Sequence, residues 1–186
     1  MISMFKPNVR IENVVASVTL NQSIDLDAVF RNVPNVEYNP EQFPGLVFRL
    51  DKPKTATLIF ASGKMVCTGA KSEKDVYRAI KKIIKILRSS GIVIVGEAET
   101  KIQNIVASAN LSAEIDLEKA ALTLEDSMYE PEQFPGLIYR MRKPKVVLLL
   151  FSSGKIVCTG ARQENEVYQA VDLLYKKLYE LELLRV

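Results

Sequence analysis

One stretch of sequence occurs twice in this chain of 186 residues. TLIFASGKMVCTGA at residues 57–70 returns as LLLFSSGKIVCTGA at residues 148–161, which is 91 residues later. The flanking segments keep the same offset, residues 38–54 returning at 129–145 and residues 10–20 at 101–111. Stacked solenoid repeats have periods of roughly 20–50 residues, so this period is too long for a solenoid. The sequence therefore predicts a duplicated half-domain with pseudo-twofold symmetry.

The repeat sets the expected organisation of the chain. Residues 1–8 are expected to be a short leader, residues 9–91 the first half-repeat and residues 92–186 the second. The two halves are expected to form one compact two-repeat domain, because 186 residues are enough for a single core.

Each half is predicted to contain about five strands, one short helix and one long helix. In the first half, alternating or β-branched patterns predict strands at residues 9–20, 36–39, 46–50, 55–60 and 64–70. Short helices are predicted at residues 25–33 and 116–124, and long helices at residues 72–88 and 164–181. So few helices can cover only one face of a sheet, and the other face is left for solvent or a ligand.

Composition excludes most enzyme chemistry. The chain has no histidine and only two cysteines, Cys67 and Cys158, which are repeat equivalents. Zinc clusters and Ser-His or Cys-His pairs are therefore excluded, and we expect neither an enzyme nor a bound metal or cofactor. The apolar runs are far shorter than the roughly 20 residues of a membrane span. The first residues also lack a signal-peptide pattern.

The hairpin at residues 57–70 predicts which side chains lie on the bare face. A three-residue loop at residues 61–63, with Gly63 in the left-handed region, is a common hairpin solution. It places Ile59, Met65, Cys67 and Gly69 towards the helices. The opposite parity carries Leu58, Phe60, Lys64, Val66 and Thr68, repeated as Leu149, Phe151, Lys155, Val157 and Thr159.

The bare face is predicted to have an apolar middle without carboxylates and a cationic margin. The cations near the strand ends are Arg49, Lys52, Lys54 and Lys64, with Arg140, Arg142, Lys143, Lys145 and Lys155 as their equivalents. Such a surface suits duplex DNA, whose phosphates would pair with the margin while sugars and base edges meet the middle. Asn13 and Asn104 are suitable donors to the acceptors of a minor groove.

Other readings of these residues stay open at this point. The bare face could be covered by another layer or a dimer partner, or could hold a lipid-like ligand or a strand of another protein. Phe60 and Phe151 could belong to the core, and Phe43 and Phe134 could anchor their loops. The basic side of the helix at residues 72–88 fits solvated surface as well as a second contact with DNA or protein.

Three repeated motifs resemble the TATA-box-binding protein family, in its archaeal form. They are ENVV and QNIV at residues 12–15 and 103–106, the YEPEQFPGLIYR type at 38–49 and 129–140, and the LIFASGKMVCTGAK type at 58–71. The resemblance implies an α+β saddle: a ten-stranded curved antiparallel sheet with four helices on its convex face. The concave face would bind the minor groove of a TATA box.

The resemblance also implies roles for individual residues. The floor against the DNA would be Asn13, Val15, Leu58, Val66 and Thr68 with Asn104, Val106, Leu149, Val157 and Thr159. The phosphate contacts would be Arg49, Ser62, Lys64, Arg140, Ser153 and Lys155. The phenylalanines that separate base steps would be Phe43, Phe60, Phe134 and Phe151.

The implied function is that of a general transcription initiation factor. It would bind and bend promoter DNA and recruit transcription factor B, through Glu130, Glu132 and Gln133, and RNA polymerase. The implied location is the cytoplasm of an archaeal cell, at the nucleoid, or the nucleus in a eukaryote. Homodimerisation of the DNA-free protein through its bare face is left open.

Overall fold

The structure, a computed structural model, describes residues 7–185. Most of the expected leader, residues 1–6, and the last residue of the second half-repeat lie outside the described residues. The first half contains β1 (Asn8–Thr19), α1 (Leu26–Asn32), β2 (Val36–Tyr38), β3 (Leu46–Asp51), β4 (Lys54–Ile59), β5 (Lys64–Ala70) and α2 (Glu73–Ser89).

The second half repeats these elements in the same order. It contains β6 (Glu99–Asn110), β7 (Glu114–Ile115), α3 (Leu117–Thr123), β8 (Ser127–Met128), β9 (Leu137–Met141), β10 (Val146–Leu150), β11 (Lys155–Ala161), α4 (Glu164–Glu180) and β12 (Leu184–Arg185). Strands β7 and β12 form an additional two-stranded sheet that the sequence did not predict.

The main sheet has ten strands in the order β2-β3-β4-β5-β1-β6-β11-β10-β9-β8. The predicted ten-stranded antiparallel sheet with four helices is confirmed. The described residues divide into two compact units, one formed by residues 13–103 and the other by residues 104–185 together with residues 7–12.

The short helices begin where the sequence places a carboxylate. Asp25 caps α1 by accepting a hydrogen bond from the backbone N–H of Ala28 at 3.1 Å. Asp116 caps α3 in the same way, through the N–H of Lys119 at 3.1 Å. This N–H and the guanidinium of Arg185 lower the pKa of Asp116. The caps use donors that a helix leaves unpaired at its first turn.

The long helix α2 follows its predicted amphipathic pattern with one difference. Ser72 caps it by accepting from the N–H of Asp75 at 3.0 Å, and Gly91 follows its end with a φ of 87°. The buried side is formed by Val76, Ala79, Ile80, Ile83 and Leu87. Ile84, predicted to belong to this side, is only half-buried.

Each unit has its own apolar core between one parity of its strands and its long helix. In residues 13–103, the strand residues Leu46, Ile59 and Met65 are at most 1% exposed, and α2 packs against β5. In the other unit, Leu137, Leu148 and Ile156 are buried to the same degree, and α4 packs against β11. The helices therefore bury one strand parity and leave the other for a separate surface.

Candidate nucleic-acid interface

The hairpin of β4 and β5 adopts the predicted three-residue loop. The backbone N–H of Phe60 donates to the Lys64 carbonyl at 2.9 Å, which closes the loop at residues 61–63. Gly63 has a φ of 92°, and Gly154 repeats it with 93°. A side chain at either glycine would meet backbone atoms of the neighbouring segment, so the position also requires its small size. The loop fixes the parity of both strands as predicted up to Thr68. The prediction is wrong at Gly69, which is half-buried with a φ of 96° while Ala70 is buried, because the pairing of β5 with β1 shifts its register there.

The residues on the outward parity form a surface that we call the floor. In the unit of residues 13–103, Met65 and Cys67 are buried whereas Val66 and Thr68, which alternate with them along β5, are half-buried. Leu58 lies across from Val66 in the neighbouring strand. The outward positions in this unit that the sequence predicted are Asn13, Val15, Leu58, Val66 and Thr68, all half-buried.

The second unit builds the same floor from equivalent residues. Leu149 pairs with Val157, and Ser108 on β6 lies across from Val157 on the other side. The predicted members Asn104, Val106, Leu149, Val157 and Thr159 are half-buried, as in the first copy. Both floors are thus accessible over the middle of their strands.

The amide of Asn13, on β1, is fixed by hydrogen bonds to the neighbouring strand β5. Its Oδ1 accepts from the backbone N–H of Gly69 at 2.7 Å, and its Nδ2 donates to Oγ1 of Thr68 at 3.3 Å. Asn104 repeats both bonds with Gly160 at 2.7 Å and Thr159 at 3.2 Å. An amide nitrogen has two hydrogens, so each asparagine keeps one further donor for an acceptor above the floor.

Two phenylalanines stand together at the end of each floor. Phe43 and Phe134, from the Gln-Phe-Pro-Gly loops, are 42% and 37% exposed. Each packs edge-to-face on a half-buried partner, Phe60 or Phe151, with ring centroids 5.9 Å and 5.8 Å apart. The core reading of Phe60 and Phe151 does not fit this half-buried position.

Cations and hydroxyls surround the floors as predicted. Arg49, Lys64, Arg140 and Lys155 are exposed, and so are Ser62 and Ser153 in the hairpin loops. The Oγ of Ser62 accepts from the N–H of Lys64 at 3.4 Å, and Ser153 does the same with Lys155. We define the rim as these four exposed cations together with the cations at the β3–β4 and β9–β10 turns, which are Lys52, Lys54, Arg142, Lys143 and Lys145.

The prediction of a face without carboxylates is wrong at two positions. Glu37 on the edge strand β2 lies across from Val47, on the same parity, and forms an ion pair with Arg49. Glu12 accepts a hydrogen bond from Ser108, whose side chain lies on the second floor, at 2.8 Å. The prediction failed because it was drawn from the β4–β5 hairpin and did not follow the edge and first strands.

Several floor residues were missed by the sequence reasoning. Val47 and Ala56 in the first copy, with Ile138 and Val147 in the second, are half-buried on the outward parity. Their alternation with buried neighbours in β3 and β9 was visible in the sequence. Arg10 was missed as well: it lines a cavity of about 520 Å³ together with Phe151 and Lys155. No sequence signal placed Arg10 there.

The loop that the resemblance assigns to a protein partner is open to solvent. Glu130, Glu132 and Gln133 are all exposed. The turn is closed by the carbonyl of Glu130, which accepts from the N–H groups of Gln133 and Phe134 at 3.0 Å each. The same turn therefore presents the two carboxylates and positions the ring of Phe134.

Comparison with known protein families gives a match over both halves. The model described as "Transcription factor TFIID (or TATA-binding protein, TBP)" matches residues 8–90 and residues 99–181. The chain belongs to this family. The resemblance inferred from the repeated motifs is thereby confirmed.

Curated relatives of this TATA-binding protein family match along nearly the whole chain. The TATA-box-binding protein of Pyrodictium occultum is 62% identical over 97% of this chain and 90% of its own length. That of Sulfolobus acidocaldarius is 60% identical over 96% of this chain and 90% of its own. The solved structure of Methanococcus jannaschii TBP, 50% identical, matches with a TM-score of 0.84 over 94% of this chain and 99% of that one.

The two thiols of this family member are buried and free. Burial, together with the charge of Glu166, raises the pKa of Cys158 to about 11. Burial also raises the pKa of Cys67, and the neighbouring hydroxyl of Thr57 opposes this with a smaller effect. Both are protonated at neutral pH and therefore inert, as predicted for small apolar groups.

Two further findings concern other kinds of site. Residues 7–185 contain no group of three acidic or cysteine side chains that could hold a metal ion. Over the same residues, no helix is long and apolar enough to cross a membrane.

Proposed function

We propose that this protein is a general transcription initiation factor that binds the TATA box of promoters through the minor groove. The observation that carries the proposal is the repeated floor: half-buried valines and leucines, one oriented asparagine amide per copy and an exposed cationic rim. The relatives from Pyrodictium occultum and Sulfolobus acidocaldarius are TATA-box-binding proteins, which supports the same DNA element.

The floor has the chemistry needed to read a minor groove. The groove offers acceptors at every base pair, and G·C pairs add the guanine amino group as a donor. The remaining Nδ2 hydrogens of Asn13 and Asn104 can donate to such acceptors. Val66 and Val157, on the strands beside them, would lie close to the groove floor and reject the guanine amino group by their bulk. The floor is therefore expected to select A·T pairs.

The paired phenylalanines are expected to bend the duplex. An apolar ring that enters between two base pairs removes their stacking, and the contacts of the bent duplex with the protein offset that cost. Phe43 and Phe60 would act at one end of the site and Phe134 and Phe151 at the other. TA steps unstack easily, so a TATA sequence lowers the deformation energy.

We further propose that the protein acts without catalysis and recruits its partners through exposed loops. Glu130, Glu132 and Gln133 present two carboxylates to solvent, which suits a basic surface on transcription factor B. RNA polymerase would join through that complex. The alternative of an apolar cleft for a lipid-like ligand leaves the cationic rim of both copies without a role.

A gel shift with three duplexes tests minor-groove reading. The first carries a TATA box, the second has inosine·cytosine in place of its A·T pairs, and the third has G·C pairs. Inosine·cytosine keeps the minor-groove acceptors of A·T and changes the major groove. We expect the first two duplexes to bind similarly and the third to bind much more weakly. Loss of binding to the inosine duplex alone would show that the major groove is read and would refute the proposal.

A further inference from the structure

The equivalent arginines of the two copies have different electrostatic surroundings. In the first copy, Nη1 of Arg49 lies 2.6 Å from Oε1 of Glu37. Both side chains are largely exposed, 58% for Arg49 and 67% for Glu37. Arg49 projects from β3 on the floor parity, and Glu37 projects from the edge strand β2 beside it. This candidate phosphate contact is therefore already paired with a carboxylate.

The second copy lacks that carboxylate. Position 128, the repeat equivalent of Glu37, is a methionine, which is 56% exposed. Arg140, the equivalent of Arg49, forms no ion pair within residues 7–185. The edge strands of the two copies differ at this position and also at Val36, whose repeat equivalent is Ser127.

The turns next to these arginines differ in the same direction. The β3–β4 turn carries Asp51 with Lys52 and Lys54, whereas the β9–β10 turn carries Arg142, Lys143 and Lys145. Arg142 does have a partner, since its Nη2 lies 3.3 Å from Oδ2 of Asp126.

A cavity continues the cationic surface of the second copy. It has a volume of about 810 Å³, and its lining includes Arg140, Arg142, Lys145 and Arg162. Glu166 also lines it, but this carboxylate accepts from the backbone N–H groups of Arg162 and Gln163 at 2.9 Å and 3.0 Å. Four cations thus line this cavity beside one carboxylate, and Arg140 is one of them.

We propose that the two copies bind phosphate unequally and that Glu37 sets the difference. The second copy supplies the larger share of phosphate binding through Arg140 and the cations beside it. Glu37 weakens the first copy by competing with phosphate for Arg49. This inference rests on the proposed binding of duplex DNA and adds to it a residue that tunes the strength and salt dependence of the complex.

The physical basis is the release of counterions. A cation that neutralises a DNA phosphate releases about 0.9 of a bound ion, and this release makes affinity fall as salt rises. Arg49 must exchange one anionic partner for another, and the displaced carboxylate of Glu37 stays near the phosphate and repels it. Arg140 meets the phosphate without such an exchange. Arg49 should therefore contribute less to the salt dependence than Arg140.

The test measures how the affinity for a fluorescently labelled TATA duplex changes with salt in matched variants. Arg140→Met should reduce the slope of log K against log salt by about 0.9, and Arg49→Met by clearly less. Glu37→Met gives the first copy the residue of the second and should steepen the slope. In the Glu37→Met protein, Arg49→Met should reduce the slope as much as Arg140→Met does. The reverse change, Met128→Glu, should flatten the slope.

Two controls separate the possible causes of failure. Glu37→Gln removes the charge and keeps the shape, and thermal unfolding shows whether each variant remains folded. If the unaltered protein does not prefer the TATA duplex over a duplex without it, the proposed function fails. If it does prefer it, but Arg49→Met and Arg140→Met change the slope equally and Glu37→Gln changes nothing, only the unequal binding is refuted.

Discussion

The rings of Phe43 and Phe60 meet edge-to-face, with an interplanar angle of 64°, and Phe134 and Phe151 repeat the arrangement at 66°. One ring of each pair comes from a loop and the other from the end of a strand. Neither pair is buried. Exposed or half-buried aromatic rings stabilise the folded state less than buried rings would. The four rings therefore add little to the stability of the core, and their exposed position fits the binding role proposed for them.

Phe60→Ala is expected to reduce DNA bending with little loss of stability. The substitution removes an aromatic contact worth about 0.5–1.5 kcal/mol, and the half-buried ring adds only part of the burial that a core ring would lose. Phe48→Ala is the matched control, since Phe48 is 4% exposed and its loss should cost about 3–5 kcal/mol. Energy transfer between the labelled ends of a TATA duplex reports bending, and urea unfolding reports stability. Equal destabilisation by both changes would show that Phe60 belongs to the core.

Gly136→Ala is expected to impair bending by moving a ring pair. A Cβ at this glycine would lie 2.7 Å from Cε2 of Phe134 and 3.0 Å from Cε1 of Phe151. The third neighbour, the carbonyl oxygen of Leu150, lies 3.3 Å away. Since Phe134 is 37% exposed and Phe151 is half-buried, the rings are expected to yield, and the stability cost should fall below the roughly 1–3 kcal/mol of an overpacked core. The same bending assay applies.

Gly91→Ala is the control for that experiment. Gly91 has a φ of 87°, and a Cβ added there would meet no atom of the surrounding structure within 4 Å, so alanine strains the backbone without touching a ring. It should lose about 1–2 kcal/mol of stability and keep normal bending. If Gly136→Ala bends the duplex normally, the ring pairs are not the bending device.

Asn13→Asp separates the structural from the binding role of this side chain. A carboxylate can still accept from the N–H of Gly69, so stability should change by less than about 1 kcal/mol. It has no hydrogen to donate and adds a negative charge, so TATA affinity should fall by about tenfold or more. Asn13→Ala should lower stability as well, because it removes the acceptor of Gly69. Unchanged DNA affinity in Asn13→Asp would show that Asn13 does not contact the DNA.

Cys158 is expected to make stability fall at high pH. Its pKa is raised to about 11 in the folded protein, from 9.0 for a free thiol. The folded state thus favours the protonated thiol, and this contribution is complete below pH 9 and is lost as pH rises towards 11. The loss should reach about 2 kcal/mol. Cys158→Ala should show a shallower decline in urea unfolding between these pH values; identical declines would contradict the assignment.

Glu132→Arg is expected to impair recruitment of transcription factor B and spare DNA binding. The side chain is exposed on the turn at residues 130–133, and the substitution reverses one of the two charges there. Gel shifts with DNA alone and with added transcription factor B measure the two steps separately. Glu41→Arg, at the equivalent position of the first copy, is the control and should leave recruitment intact. Equal damage to both steps would argue against a separate contact.

The course of the strands and the parity of the floor could be read from the sequence. Glycine is the residue type that adopts the backbone conformation of positions 63 and 154 without strain, so the loop length and the parity of Phe60 and Thr68 followed from local rules. Helix limits followed from Asp25, Asp116 and Ser72, whose side chains cap neighbouring N–H groups. Such interactions span a few residues and leave a signal in the sequence.

The charge partners of the rim could not be read in this way. Glu37 and Arg49 lie on two strands joined by the loop at residues 39–45, and only the pairing of β2 with β3 brings them within 2.6 Å. The same holds for Glu12 and Ser108, which are 96 residues apart in the chain. Exposed charges follow no periodic pattern, so nothing in the sequence indicates which of them will meet.

The sequence by itself determined the duplication, the strand parities, the helix caps and the apolar floor, because backbone geometry and hydrophobic burial act through local and periodic patterns. Only the tertiary structure decided that Arg49 is paired while Arg140 is not, and that each Phe of a loop rests against the Phe of a strand. Coulombic and aromatic contacts depend on distances between atoms remote in the chain, and those distances exist only after the sheet has formed.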